Sequence, residues 1–211
     1  MMKIECEVAP NIISALKMLS SKEKKVITFF LISMGITSIT YSVAAEYDID
    51  IGGQHASIQW KTSHQGFSML TGRFNTFDGS FYWDENDPSS ASVEITIDMT
   101  SSDSNHSVRD GHLQGPNYMN VAEHPTATFS STSYEGDSQS GTLNGNLTMN
   151  GVTRSISLPI NKIGEGSGMQ MGMTVYKAGF EGNMIINPQD FNFERPATPV
   201  EIEINFEGNR R

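Results

Sequence analysis

The sequence predicts an all-β domain: an antiparallel barrel or sandwich of about eight strands, interrupted by one short helical capping segment. Three observations lead there. Apolar and polar residues alternate strictly in four separate stretches, which is the period of a strand with one buried face. An Asn150-Gly151 pair, the preferred two-residue hairpin turn, joins two of those stretches. No tandem repeat or low-complexity linker divides the chain, so the 211 residues hold one folded domain behind an N-terminal address.

The address comes first. Lys22, Lys24 and Lys25 precede the apolar run Val26–Ile36, and Val43-Ala44-Ala45 supplies small residues for cleavage before Glu46. Thr28, Ser33, Thr37, Ser38 and Thr40 interrupt the run, whereas a membrane-spanning helix needs about 20 mainly apolar residues. A cleaved secretory signal is therefore expected over an anchor. Residues 1–17 make an unusually long lead-in, and Met18 would start a signal of ordinary length. The expected organisation is residues 1–45 as extension plus signal, with Met18 a candidate start, and residues 46–211 as the mature domain.

Loss of residues 1–45 removes Lys3, Lys17, Lys22, Lys24 and Lys25 together with Glu5, Glu7 and Glu23, taking the net charge from -10 to -12. No basic face remains to neutralise phosphates, which argues against a nucleic-acid partner. The single cysteine, Cys6, goes too, so neither a disulfide framework nor a Cys-rich zinc site is available.

In the mature region Val93, Ile95, Ile97 and Met99 alternate with Glu94, Thr96 and Asp98. Leu143, Leu147 and Met149, then Val152, Ile156, Leu158 and Ile160, flank the Asn-Gly turn. That turn pairs Met149 with Val152, Leu147 with Arg154, Gly145 with Ile156 and Leu143 with Leu158, so both apolar sets fall on one face. Arg154 shares that face, and a rim position would let its head reach water. Val200, Ile202, Ile204 and Phe206 form the last alternating run. Ala56–His64, Gly72–Trp83, Thr126–Tyr134 and Met169–Asn187 are further strand candidates, the last as two strands or one long bent one. The helical segment is Val108–Ala122, broken by Gly115-Pro116 and carrying Leu113, Tyr118, Met119 and Val121. It would cap one end of a barrel.

Four segments, in order, resemble the signatures of the YceI-like family. They are Ser63–Phe74 followed by Phe77–Phe81; Arg109–Leu113 continued by Gly115–Val121 and Pro125–Phe129; Leu147–Arg154; and Ala178–Gly182. The resemblance implies a lipocalin-like antiparallel barrel that binds a polyisoprenoid or similar long amphiphile, such as a quinone, in its interior. It further implies secretion to the periplasm, and transient contact with a membrane cytochrome b561-type protein; a second copy of the chain is another candidate partner. The chain departs from the usual family pattern at Asn150, Pro188 and Asn192, where His, Arg and Gly often stand. The Pro188 change removes a cation.

Catalytic signals are weak. His106 and His112, with Asp103, Asp110 and His124 nearby, lack zinc-ligand spacing. There is no Gly-x-Ser-x-Gly elbow, and no cysteine survives processing. Ser63 and His64, adjacent in a strand, face opposite sides. The apolar inventory says more: nine of the eleven phenylalanines and a series of methionines fall within residues 46–211, and they suit either a filled core or a cavity of irregular shape. Gly66, Gly72, Gly79, Gly145 and Gly182 would leave room inside or permit bending.

The function expected is a periplasmic, non-enzymatic carrier for a long amphiphile, needing no metal or cofactor; the alternative is an enzyme acting on a small amphiphile in the same cavity. Ile58, Trp60, Phe74, Phe81, Ile97, Phe129, Leu147, Met149, Phe180 and Met184 are expected to line the bore, with Phe67 beside them. His64, Arg109, Asp110 and His112 are the candidate polar groups at a mouth, Arg109 and Asp110 having a structural ion pair as their competing role.

Overall fold

A computed structural model describes residues 44–52, 55–195 and 198–211. Residues 1–43 of the expected extension and signal, with the Met18 start, lie outside the described residues, while Ala45, the last residue of the expected signal, opens β1. Eleven strands follow in chain order: β1 (Ala45–Ile49), β2 (Ala56–His64), β3 (Ser68–Phe74), β4 (Phe77–Trp83), β5 (Ser92–Asp98), β6 (Ser102–Asp103), β7 (Thr126–Gly136), β8 (Ser140–Met149), β9 (Val152–Gln170), β10 (Met173–Ile186) and β11 (Val200–Arg210). Among the described residues a single α-helix, α1 (Ser107–Leu113), stands between β6 and β7.

Eight strands close an antiparallel barrel in the order β1-β4-β5-β7-β8-β9-β10-β11, with β11 returning to β1. β11 does double duty. Gly208–Arg210 pair with Tyr47–Ile49 of β1, while Val200–Phe206 pair with Ala56–Thr62 of β2. β1 and β2 thus lie along one neighbour as a strand interrupted in the middle. Beyond the interruption the ladder splits: β1 continues to β4, whereas β2 forms a hairpin with β3, which ends on β6.

The β8–β9 hairpin has the register expected of its turn. Met149 pairs with Val152, Leu147 with Arg154, Gly145 with Ile156 and Leu143 with Leu158. Asn150 and Gly151 both take positive φ, 48° and 74°, the geometry that matches the right-handed twist of the strands. Arg154 is exposed at the rim.

Three expectations need correction. Gly72–Trp83 is not one strand: β3 ends at Phe74 and β4 begins at Phe77, because the chain changes partner there, from β2 to β1 and β5. Met169–Asn187 takes the second form foreseen, one long strand with an irregularity, but the strand starts later than expected. Its first two residues finish β9, a turn at Met171-Gly172 follows, and β10 runs unbroken to Ile186 with a register shift between Gly179 and Phe180. The helical segment is helical only through Leu113 and continues as turns.

Inward side chains from every barrel strand form one apolar cluster that includes Tyr47, Ile58, Trp60, Phe81, Phe129, Leu147 and Ile202. Glycines admit two of its largest rings. A Cβ on Gly72 would lie 2.2 Å from the Trp60 ring, and one on Gly145 would lie 2.5 Å from Phe129. These glycines seat aromatic side chains rather than leave open space. We expect Gly145→Ala to cost about 1–3 kcal/mol, since the ring and the Ser130 carbonyl would both have to move. Equilibrium denaturation reads this directly, and an unchanged midpoint would contradict the seating.

The end of the barrel bearing Trp83 is closed by a polar knot. Trp83 Nε1 donates to Glu165 Oε2 at 3.1 Å, Tyr47 donates its hydroxyl to Glu165 Oε1 at 3.4 Å, and Lys162 Nζ bonds Glu85 at 2.7 Å and Glu165 at 3.2 Å. The side chains of Lys162 and Glu165 are only 6% and 5% exposed. Burial, then the charge of Glu165, pushes the Tyr47 hydroxyl well above the ordinary tyrosine value. For Lys162 burial works to lower the pKa, but the hydrogen bonds to Glu85 and Glu165 prevail and raise it. A raised lysine pKa contributes stability below the ordinary value of 10.5 and loses it as pH rises through the folded value. Lys162→Met should therefore cost about 3 kcal/mol at neutral pH, by leaving Glu165 without its cation. The gap between variant and parent in thermal melts should narrow only above pH 10.5.

Candidate ligand-binding site

The barrel encloses a chamber walled by the inward residues of β4, β5, β8, β9, β10 and β11. About 1090 Å³ is empty, counting the space at its opening. Its wall is aliphatic and aromatic: Ile95, Ile97, Leu143, Leu147, Ile156, Ile160, Phe180, Met184 and Phe206 recur at strand period. Phe81 stacks on Tyr47 and meets Phe180 edge-on, with Phe180 in turn against Trp83. That aromatic cluster and the polar knot behind it stop the chamber at the Trp83 end.

A second chamber of about 590 Å³, again counting its opening, lies at the opposite end, against the α1 segment. The two share Phe74, Met99, Met149, Ile186 and Ile202 as walls, so they adjoin. The surface that the lower chamber exposes is apolar too. Thr62, Ser102, Tyr118 and Arg195 stand among Trp60, Leu113, Met119 and Phe193. Thr62 Oγ1 is satisfied by Thr198 Oγ1 at 3.0 Å and the Pro199 carbonyl at 3.2 Å. The Ser102 hydroxyl is buried without a hydrogen-bond partner.

Of the residues read from the sequence, Ile58, Phe74, Phe81, Ile97, Phe129, Leu147, Met149, Phe180 and Met184 line the main chamber, and Trp60 lines the lower one. The polar set lies elsewhere. His64 is exposed at the end of β2, and Phe67 at the hairpin tip is 89% exposed. Arg109 and Asp110 face Ser104: Arg109 Nε donates to the Ser104 hydroxyl at 2.7 Å and its NH2 group to the Ser104 carbonyl at 2.6 Å. Asp110 accepts from the Ser104 amide at 2.9 Å and from its hydroxyl. They brace the β6–α1 loop. His112 is exposed on α1, and His106 caps that helix by accepting from the Arg109 amide at 3.3 Å. Ser102, Tyr118 and Arg195 were not singled out in the sequence. Arg195 lies in a Pro-flanked loop without periodicity, and Ser102 in a serine-rich stretch where no single hydroxyl stands out.

Among the described residues, the group that brings three potential metal ligands together is Asp50, His55 and Glu207, at the interruption between β1 and β2. Lys177 already places its ammonium there, bonded to Glu207 and 3.9 Å from Asp50. His55 Nδ1 lies 2.9 Å from Asp50. The arrangement is an ion-pair network with its own cation. The titratable residues at the chamber walls are Tyr82, Glu181, Tyr118 and Arg195, which make no acid–base pair.

Comparison with known proteins agrees with this architecture. The family model described as YceI-like domain matches residues 47–209. A UPF0312 protein of Pseudomonas aeruginosa is 40% identical over 192 residues, covering 89% of this chain and 99% of its own. A UPF0312 protein of Yersinia enterocolitica is 43% identical over 173 residues, covering 80% and 88%. Among solved structures, the Campylobacter jejuni YCEI protein superposes with a TM-score of 0.62 at 26% identity, covering 71% of this chain and 90% of its own. Burkholderia cenocepacia BcnA superposes with a TM-score of 0.67 at 20% identity, covering 76% and 99%. A domain from Saccharophagus degradans described as polyisoprenoid binding does so with a TM-score of 0.57 at 14% identity, covering 78% and 98%. With a match spanning nearly the whole barrel, the chain belongs to the YceI-like family.

Proposed function

We propose that this protein binds and carries a polyisoprenoid or similar long-chain amphiphile, a prenylated quinone among them, with the tail in the main chamber. One observation carries the reading: a closed barrel keeps an apolar chamber, and a second apolar chamber adjoins it. Each CH₂ moved from water into such a wall gains about 0.8 kcal/mol, so a long tail binds tightly without a strong polar anchor. A closed wall also suits a ligand that must cross water between two membranes or proteins. The signal read at the N-terminus and the net acidity of the mature chain suit a soluble carrier in the periplasm. The Saccharophagus degradans domain, described as polyisoprenoid binding, has the same fold and supports this ligand class.

Organic extraction of purified protein followed by mass spectrometry tests the proposal. A long apolar molecule should be recovered, unchanged after incubation with the protein; a converted product would favour catalysis instead. Met184→Asp, which sets a carboxylate on the chamber wall, should lower retention more than tenfold, because the charge loses its water when the tail enters. Arg109→Gln, outside both chambers, should stay within about twofold of the parent, since only a loop brace is weakened. Circular dichroism confirms folding of both variants before retention is compared.

A further inference from the structure

Residues 46–211 are strongly acidic, yet no Asp or Glu falls between Asp50 and Asp78. The β2–β3 hairpin occupies that interval. Val200, the first residue of β11, pairs with Thr62, and β6 meets β3 only at Arg73 and Phe74. Residues 63–69 therefore overhang the ladder, and at the usual rise of a strand Gln65 stands about 10 Å beyond Thr62. Hydrogen bonds define the turn. Gln65 and Gly66 take positive φ, 55° and 80°, the Phe67 amide donates to the His64 carbonyl at 3.0 Å, and the Gly66 amide donates to Ser63 Oγ at 3.3 Å. On this tip Phe67 is 89% and Met69 53% exposed. The cations Lys61 and Arg73 are set back at the base, where each faces a carboxylate: Lys61 pairs with Glu201 at 3.7 Å, and Arg73 lies opposite Asp103.

We propose that this tip docks the protein on a zwitterionic lipid bilayer, with Phe67 and Met69 entering the headgroup region. The base of the same hairpin walls the lower chamber through Trp60 and Thr62, so docking brings that end of the barrel to the membrane. That docking serves exchange of a bound lipid rests on the tail-binding function proposed above; the docking itself rests on the tip.

Shape and charge both select a bilayer. An overhang of about 10 Å matches the depth of about 5–10 Å at which apolar side chains rest at the boundary of headgroups and acyl chains. A convex tip with two exposed apolar side chains falls far short of the roughly 1,200 Å² that a stable protein interface buries. A carboxylate on the tip would lose its water on entry, and the nearest ones along the hairpin stand at its base. Anionic headgroups would repel the acidic chain, and the base cations are already balanced, so neutral headgroups fit.

The test floats the full mature chain on a density gradient with vesicles of phosphatidylcholine and phosphatidylethanolamine. Native protein should rise with the vesicles. Phe67→Ser should lower partitioning about tenfold, and Met69→Ser about threefold, since Met69 is already half shielded. Neither should shift the melting temperature, because both side chains face water. Phe67→Trp should keep binding, and its added indole should be quenched by lipids brominated high on the acyl chain, which cannot reach the buried Trp60 and Trp83. Exchanging the vesicles for phosphatidylglycerol should weaken binding. The docking is overturned if native protein stays in the soluble fraction, if Phe67→Ser floats like the parent, or if phosphatidylglycerol strengthens binding. It is also overturned if Phe67→Ser turns a dimer into a monomer in sedimentation equilibrium and leaves vesicle binding unchanged, for the tip is then a contact between copies. Organic extraction separates the two readings. A protein that retains a lipid but does not float keeps the tail-binding function and loses the docking; one that floats but retains no lipid keeps the docking and loses that function.

Discussion

Closure of the ladder between β11 and β1 decides what the inner face can be used for. An open sheet of these strands would have two unpaired edges and would have to collapse on itself or on a partner to bury its apolar face. Once Gly208–Arg210 meet Tyr47–Ile49, the edges disappear and the apolar faces turn toward a common axis. The side chains at that axis then fill it or line it. Here the large rings are drawn back against the wall, Trp60 over Gly72 and Phe129 over Gly145, and much of the rest is unbranched or aliphatic. A space remains beside these two rings, and it ends where Phe81, Phe180 and Trp83 meet across the bore.

The ends of that space are built differently, and their energetics follow from hydrogen-bond accounting. At the Trp83 end Glu165 is surrounded by a lysine, an indole N–H and a tyrosine hydroxyl, so a buried charge is tolerated and the end stays shut. At the α1 end the wall comes from a short helix followed by turns, held by Arg109 and Asp110 around Ser104. The motif charges thus shape the mouth from behind without entering it.

The β8–β9 hairpin was legible to the residue, because turn chemistry and period-two alternation gave the same register. The bore was legible wherever inward positions were apolar, as at Ile97, Leu147 and Phe180. What alternation could not show is a change of neighbour: Phe74 and Phe77 continue one apolar pattern while the strands to which they belong pair with different partners. Nor could it show that β9 runs on through Lys162 and Glu165, since buried ions look like a solvated loop in sequence. The charged motif residues stand outside both chambers: His64 is exposed at a strand end, Arg109 braces a loop, and His112 is exposed on α1. Ser102 carried no signal at all, for an unpaired hydroxyl is visible only once its neighbours are placed.

The seam between β1 and β11 joins strands far apart in sequence, and Arg211 ties it by bonding Glu46 and Asp48. A chain emerging from the ribosome or from a translocation pore offers the first strand long before its last partner exists. The hairpins β4–β5, β7–β8, β8–β9 and β9–β10 can form locally, yet the barrel cannot lock until β11 reaches β1, and pairing across such a sequence separation is slow. During that interval the apolar wall is open along its whole length. A lipid present then need not thread through a finished mouth: it can be enclosed as the seam zips, so the moment of folding is itself an opportunity to load.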